Sequence, residues 1–112
     1  MDGRVIPSHG VFVHGLPIDA ETRCAHWHGA ADVVAIRFRC CDRFYPCHEC
    51  HLAVADHPAE VWEADRRDEH ALLCGVCGTT LTIERYLDVD ACPDCHAPFN
   101  PGCRLHRHLY FA

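Results

Sequence analysis

Apolar and polar positions alternate most cleanly between Val33 and Arg39, with Val34, Ile36 and Phe38 on one face and Ala35, Arg37 and Arg39 on the other. A period of two predicts a β-strand. It runs directly into Cys40-Cys41, so the end of the strand delivers two thiols to one place. Within residues 4–19, the run Val11-Phe12-Val13 is broken by Gly10, Gly15 and Pro17, which predicts one short strand and a turn lying over the core. Pro46 suits a first helical turn, and Cys47 to Ala55 meets no breaker before His57-Pro58, so a short helix is expected there. A second helix is expected from Ala59 to about Arg66, with Val61 and Trp62 as its apolar edge, followed by a solvated charged connection over residues 65–70. Later, Thr82 caps a helical turn holding Ile83, Glu84, Tyr86 and Leu87, with a β-hairpin as the alternative. Leu109-Tyr110-Phe111 forms an apolar end, and no repeat is apparent along the chain.

These elements are short, and 112 residues make a single domain with a small core. Something besides apolar burial has to hold it together. Ten cysteines, about 9% of the chain, reach the level of scaffolds stapled by disulfides or metals. Eleven histidines accompany them, and imidazoles serve a metal site where a disulfide scaffold has no use for them. The first residues lack the apolar stretch of a signal peptide, and no segment approaches the roughly 20 apolar residues of a membrane span. A soluble, cytoplasmic protein with reduced thiols is therefore expected. The formal net charge of −6 argues against a nucleic-acid partner, although Arg37, Arg39 and Arg43 could form a local basic patch. All ten basic residues are arginine, which reads as a codon bias before it reads as a functional choice.

The strongest chemical signal is Cys74-x2-Cys77-x14-Cys92-x2-Cys95. Each Cys-x2-Cys knuckle turns two sulfurs toward one point, and two knuckles complete the four soft ligands of a closed zinc site. A single pair beside a βαβ pattern would instead suggest a thiol-redox motif, but two pairs occur here without that context. The first half supplies eight further ligands: Cys24, His26, Cys40, Cys41, Cys47, Cys50, His51 and His57. On a helix Cys47 and Cys50 share a face, whereas Cys50 and His51 point about 100° apart and serve different metals. One zinc is thus assigned to Cys24, His26, Cys47 and Cys50, and another to Cys40, Cys41, His51 and His57. The alternative divides Cys40 and Cys41 between the two sites. Interleaved sites of this kind assemble cooperatively, since neither closes without folding the other's loop.

Three zinc ions are expected in all. Cys103, His28, His106 and His108 remain, and they read as a buried thiol beside packed histidines more readily than as a fourth site. The fold class that follows is a small α+β domain of short strands and short helices around three zinc sites. It divides into an N-terminal strand and turn over residues 1–23, two interleaved sites over 24–60, a zinc-ribbon-like four-cysteine site over 74–99 and a tail over 100–112.

Thr22-Arg23-Cys24-Ala25-His26-Trp27-His28, Cys40-Cys41-x5-Cys47-x2-Cys50-His51-x5-His57-Pro58, the two knuckles, and Pro98-Phe99-Asn100-Pro101-Gly102-Cys103 with the histidine-rich tail together resemble the CHY zinc finger family. Trp27 stands where the family name implies tyrosine, and neither residue is a zinc ligand. The resemblance implies a three-zinc domain. In some members it precedes a RING finger in ubiquitin ligases. None follows Ala112 here, so the stand-alone form, associated with zinc handling and thiol reactivity, is the expectation.

The expected function is a non-enzymatic zinc-binding module for protein interaction or for zinc and thiol homeostasis, with an unidentified protein partner or zinc acceptor. A catalytic zinc keeps one position open, whereas every site assigned here has four protein ligands. Thiol-redox chemistry is the alternative, and nucleic-acid binding ranks below it. Metal exchange is expected to begin at the site with two neutral imidazoles, the four-thiolate site being the stable scaffold.

Overall fold

The computed structural model describes residues 4–16, 19–100 and 110–111. The chain opens on a hairpin, β1 (Arg4–Ser8) and β2 (Val11–Gly15), where one strand and a turn were expected. Its two-residue turn, His9-Gly10, has φ of 51° and 83°, the mirror-image geometry that matches the twist of paired strands. Pro7 occupies the outer strand, where a missing N–H costs no ladder bond, and the pattern of apolar positions alone gave no sign of pairing there.

Three strands follow in the first half and its junction with the second: β3 (Val34–Arg37), β4 (Phe44–Tyr45) and β5 (His70–Cys74). With β6 (Thr80–Thr82) they complete one sheet of order β1-β2-β4-β3-β5-β6. Every neighbouring pair is antiparallel except β2 and β4, which meet in parallel at Val13 and Phe44. β3 lies in the strand predicted from its alternation, but both of its faces are buried. Ile36 and Phe38 join the main core with Tyr45, Leu72, Ile83 and Trp62, while Ala35 packs with Val13 and Leu73 in a second, smaller cluster.

Helix α1 (His48–Val54) begins two residues after Pro46, because Cys47 is its N-cap. The sulfur of Cys47 accepts the Cys50 N–H at 3.3 Å, so one residue both caps the helix and faces its first turn. The second expected helix, from Ala59 to Arg66, does not form: only a single 3-10 turn, Ala64–Arg66, is present. Trp62 is drawn instead into a parallel bridge with Phe111, its N–H donating to Tyr110 O at 2.8 Å, and its indole N–H donates to Arg37 O at 2.8 Å. A long-range anchor thus overrides a weak local helical pattern. Helix α2 (Ile83–Leu87) forms where expected, with Thr82 Oγ1 accepting the Arg85 N–H at 3.1 Å. The hairpin of the second half is β5–β6, ahead of this turn, and the residues from Ile83 to Leu87 form the helical turn and not the alternative hairpin.

Candidate metal centre

Three turns of the same construction position cysteines. In each, the first residue's N–H bonds to the carbonyl five residues on, and the fifth residue's N–H bonds back to the first carbonyl. The pairs are Cys74 N to Thr79 O with Gly78 N to Cys74 O, Cys92 N to Ala97 O with His96 N to Cys92 O, and Phe38 N to Arg43 O with Asp42 N to Phe38 O. The fifth residue lies at positive φ in all three, Gly78 at 84°, His96 at 65° and Asp42 at 57°. In the two knuckles cysteine occupies positions one and four. The β3–β4 turn carries it at positions three and four, with Phe38 at position one, and that substitution hid the repeat from the sequence pattern.

The ligand atoms gather into three tetrads, Cys24-His26-Cys47-Cys50, Cys40-Cys41-His51-His57 and Cys74-Cys77-Cys92-Cys95, each with all four atoms within 4.8 Å of one another. A tetrahedron with zinc–sulfur bonds of about 2.3 Å and zinc–nitrogen bonds of about 2.0–2.1 Å has edges of about 3.8 Å between sulfurs, 3.5 Å between sulfur and nitrogen and 3.3 Å between nitrogens. The Sγ separations are 3.7 Å for Cys24–Cys47, Cys74–Cys95 and Cys77–Cys92, and 3.9 Å for Cys40–Cys41. Nδ1 of His26 stands 3.5 Å from Cys47 Sγ and 3.4 Å from Cys50 Sγ. The Nε2 atoms of His51 and His57 are 3.3 Å apart. Disulfides would bring sulfurs to about 2.05 Å, and all nine described cysteines are free. The donor sets and their edges fit three zinc ions.

The three-thiolate site is the most enclosed. Cys24 and Cys50 have no exposure and Cys47 has 5%. Backbone N–H groups of Trp27, Cys50 and Leu16 donate to the sulfurs of Cys24, Cys47 and Cys50 at 3.3, 3.3 and 3.4 Å. Such bonds stabilise thiolate charge out of water. Gly15 is required here, since a Cβ on it would lie 2.6 Å from Cys50 Cβ. Without metal the three sulfurs share protons unevenly. Hydrogen bonds from Cys47 and Cys50 draw Cys24 down to about 2, while donating to Cys24 holds Cys47 far above the ordinary thiol range and Cys50 up to about 12. Metal binding to such a cluster releases the protons its sulfurs hold.

The mixed site draws Cys40 and Cys41 from the β3–β4 turn, His51 from α1 and His57 from the segment after it. Cys50 and His51 face different metals, as helix geometry requires. His51 is 2% exposed and stacks on Phe38, ring centroids 4.4 Å apart and 13° from parallel, with Tyr45 edge-on at 4.9 Å. Burial holds its pKa below the ordinary histidine value, leaving a neutral imidazole ready to ligate. Nδ1 of His57 bonds to Asp56 Oδ1 at 2.9 Å, which fixes the tautomer with Nε2 free for metal. Burial raises Tyr45 to about 12, so its hydroxyl stays protonated beside Cys41. None of these supporting contacts was anticipated; Asp56 was readable as the neighbour of His57, whereas Phe38 and Tyr45 had no ligand spacing to mark them.

The four-thiolate site is closed by two knuckles tied together through the Thr79 hydroxyl, which donates to Asp94 Oδ2. Burial pushes Cys74 up to about 12, and a hydrogen bond from Thr79 pulls Cys77 down to about 6. The fourth-site alternative rests on Cys103, His106 and His108, which lie outside the described residues; His28 is exposed. Among the described residues no helix is long and apolar enough to cross a membrane.

The CHY zinc finger family matches residues 24–86, a span that takes in every assigned ligand except Cys92 and Cys95. The chain is 47% identical over 103 residues to Helper of Tim protein 13 of Saccharomyces cerevisiae, covering 88% of this chain and 89% of that protein. The Kluyveromyces lactis protein of the same name is 41% identical over 99 residues, with 88% and 87% covered. An uncharacterised Schizosaccharomyces pombe protein is likewise 41% identical over 99 residues, with 88% of each chain covered. Three four-ligand tetrads, the family match and relatives of nearly the same length agree: the chain belongs to the CHY zinc finger family.

Proposed function

We propose that this protein is a non-catalytic zinc-binding module that acts by binding a protein partner or by passing zinc to an acceptor. The observation that carries the reading is the set of three tetrads, each offering four ligand atoms at tetrahedral spacing. Four protein ligands leave no position for a substrate or an activated water. The likeness to proteins named as helpers of Tim supports a role toward another protein. Nucleic acid is disfavoured by the pairing of two of the three arginines of the basic patch: Arg37 bonds to Glu69 at 2.7 Å, and Arg39 reaches Glu63 at 2.8 Å and Glu60 at 3.5 Å. The cytoplasm meets the one requirement this reading places on a compartment, that the thiols stay reduced.

A second reading, thiol exchange, is favoured by one feature: Cys77 is half-buried, and a hydrogen bond from Thr79 draws its pKa below the ordinary thiol value. Chelation separates the two. Removing zinc with a strong chelator under reducing conditions abolishes cooperative thermal unfolding if zinc is the structural element. A chain that keeps its cooperative melt after chelation and, once the reductant has been removed, reduces a disulfide substrate supports thiol exchange instead.

A further inference from the structure

Every described cysteine ligand of the three tetrads belongs to a capped helix, a bridged residue or a hydrogen-bonded turn, Cys40 and Cys41 through the β3–β4 turn, whereas His57 lies in none of these. In the mixed site only His51 is fully buried; Cys40, Cys41 and His57 are half-buried. His57 lies just beyond the last turn of α1, which closes with Ala55 N to His51 O at 2.9 Å. Its side chain is 32% exposed, and the carboxylate that orients it, Asp56, is fully exposed.

Two clefts flank it. One, of about 370 Å³, is lined by His48, His51, Leu52, Pro58 and Ala59. The other, of about 320 Å³, is lined by Val5, His14, Arg43, Tyr45 and Val54. The two share only Ala55, Asp56 and His57. Among the mixed site's four ligands this imidazole is therefore the one that can leave with least disturbance, and a second molecule can reach its place.

Resting on the zinc-binding reading above, we propose that the mixed site is a metal-exchange site in which His57 is the displaceable ligand and a cysteine thiolate of an acceptor protein enters through the Arg43 cleft. Arg43 supplies the positive charge that draws an anionic thiolate into this cleft in preference to the other. The substitution is not redox. The bond to His57 Nε2 breaks as a bond to the incoming sulfur forms, and the imidazole departs neutral, its proton still on Nδ1 facing Asp56. Asp56 acts as a positioning residue: while its bond holds, Nε2 is aimed at the site, and weakening that bond frees the ring to turn away. Further acceptor thiols then displace Cys40, Cys41 and His51 in turn, their protons passing to the released Cys40 and Cys41 sulfurs and to solvent, so that all four bonds to this chain are broken.

The test uses the full chain loaded with zinc, or with cobalt in its place, mixed with a synthetic acceptor peptide bearing two metal-free Cys-x2-Cys knuckles. Native mass spectrometry counts metals, and cobalt absorption distinguishes two-nitrogen from all-sulfur coordination. The expected course is loss of one metal from the mixed site, with a resolved interval at two metals per chain. Asp56→Asn keeps three metals and speeds the first transfer about tenfold, the lower end of the effect of removing such a partner. Arg43→Glu slows it about tenfold. His57→Ala isolates with two metals and regains the third when free imidazole is added. The proposal is overturned if an all-sulfur signal disappears first, if Arg43→Glu transfers at the wild-type rate, or if three metals are held and none is transferred. A wild-type chain that never holds three metals overturns the zinc-binding reading beneath it.

Discussion

Residues 24–57 and residues 74–97 solve the same problem in opposite ways. In the second region one site is closed by two neighbouring knuckles, Cys74–Thr79 and Cys92–Ala97, each completed by its own backbone bonds. In the first, ligand pairs alternate between two metals: Cys24 and His26, then Cys40 and Cys41, then Cys47 and Cys50, then His51 and His57. Helix α1 supplies both, through faces about 100° apart. Local closure makes a site that stands by itself, whereas alternation makes two sites depend on one frame. Coupling of this kind is reciprocal. It is nonetheless unequal in outcome, because the three-thiolate site is more enclosed and supplies the frame on which His51 and His57 are carried.

The sharpest break of this comparison is Cys24→Ala. A structural zinc contributes about 10–16 kcal/mol of apparent binding energy, as much as the roughly 5–15 kcal/mol stability of a whole domain. Loss of the three-thiolate site takes the mixed site with it, leaving one metal, and near-UV circular dichroism reports collapse of the packing around α1. Cys92→Ala has a smaller reach. It removes the metal at residues 74–95 only, and native mass spectrometry shows two zinc ions remaining with the signal of the first half retained.

Phe38→Ala sharpens the contrast without touching a ligand. It deletes the ring stacked on His51 and costs about 3–5 kcal/mol by the usual range for a buried phenylalanine. Chemical denaturation measures that loss, and the mixed site weakens toward chelator more than the four-thiolate site does. The smallest effect is Thr82→Ala, which removes the N-cap of α2 and lowers stability by about 1 kcal/mol with the metal count unchanged.

The ligand partition was legible because cysteine and histidine spacing reports coordination directly, and because 3.6 residues per turn separates Cys50 from His51. Strand β3 and helix α2 were legible from alternation and from a capping threonine. What was hidden had non-local causes. β4 is two residues long, too short for any period to show. The helix expected over Ala59–Arg66 is replaced by the bridge from Trp62 to Phe111, 49 positions away. The N–H groups that support the three-thiolate sulfurs come from Leu16, Trp27 and Cys50, and Leu16 carries no polar side chain that could have drawn notice.

The most direct test of the whole account is the metal count of the freshly purified, reduced chain by native mass spectrometry, paired with its circular dichroism. Three zinc ions per chain are expected, with loss of the near-UV signal when all three are stripped. A chain carrying one metal or fewer with its tertiary signal intact would contradict it.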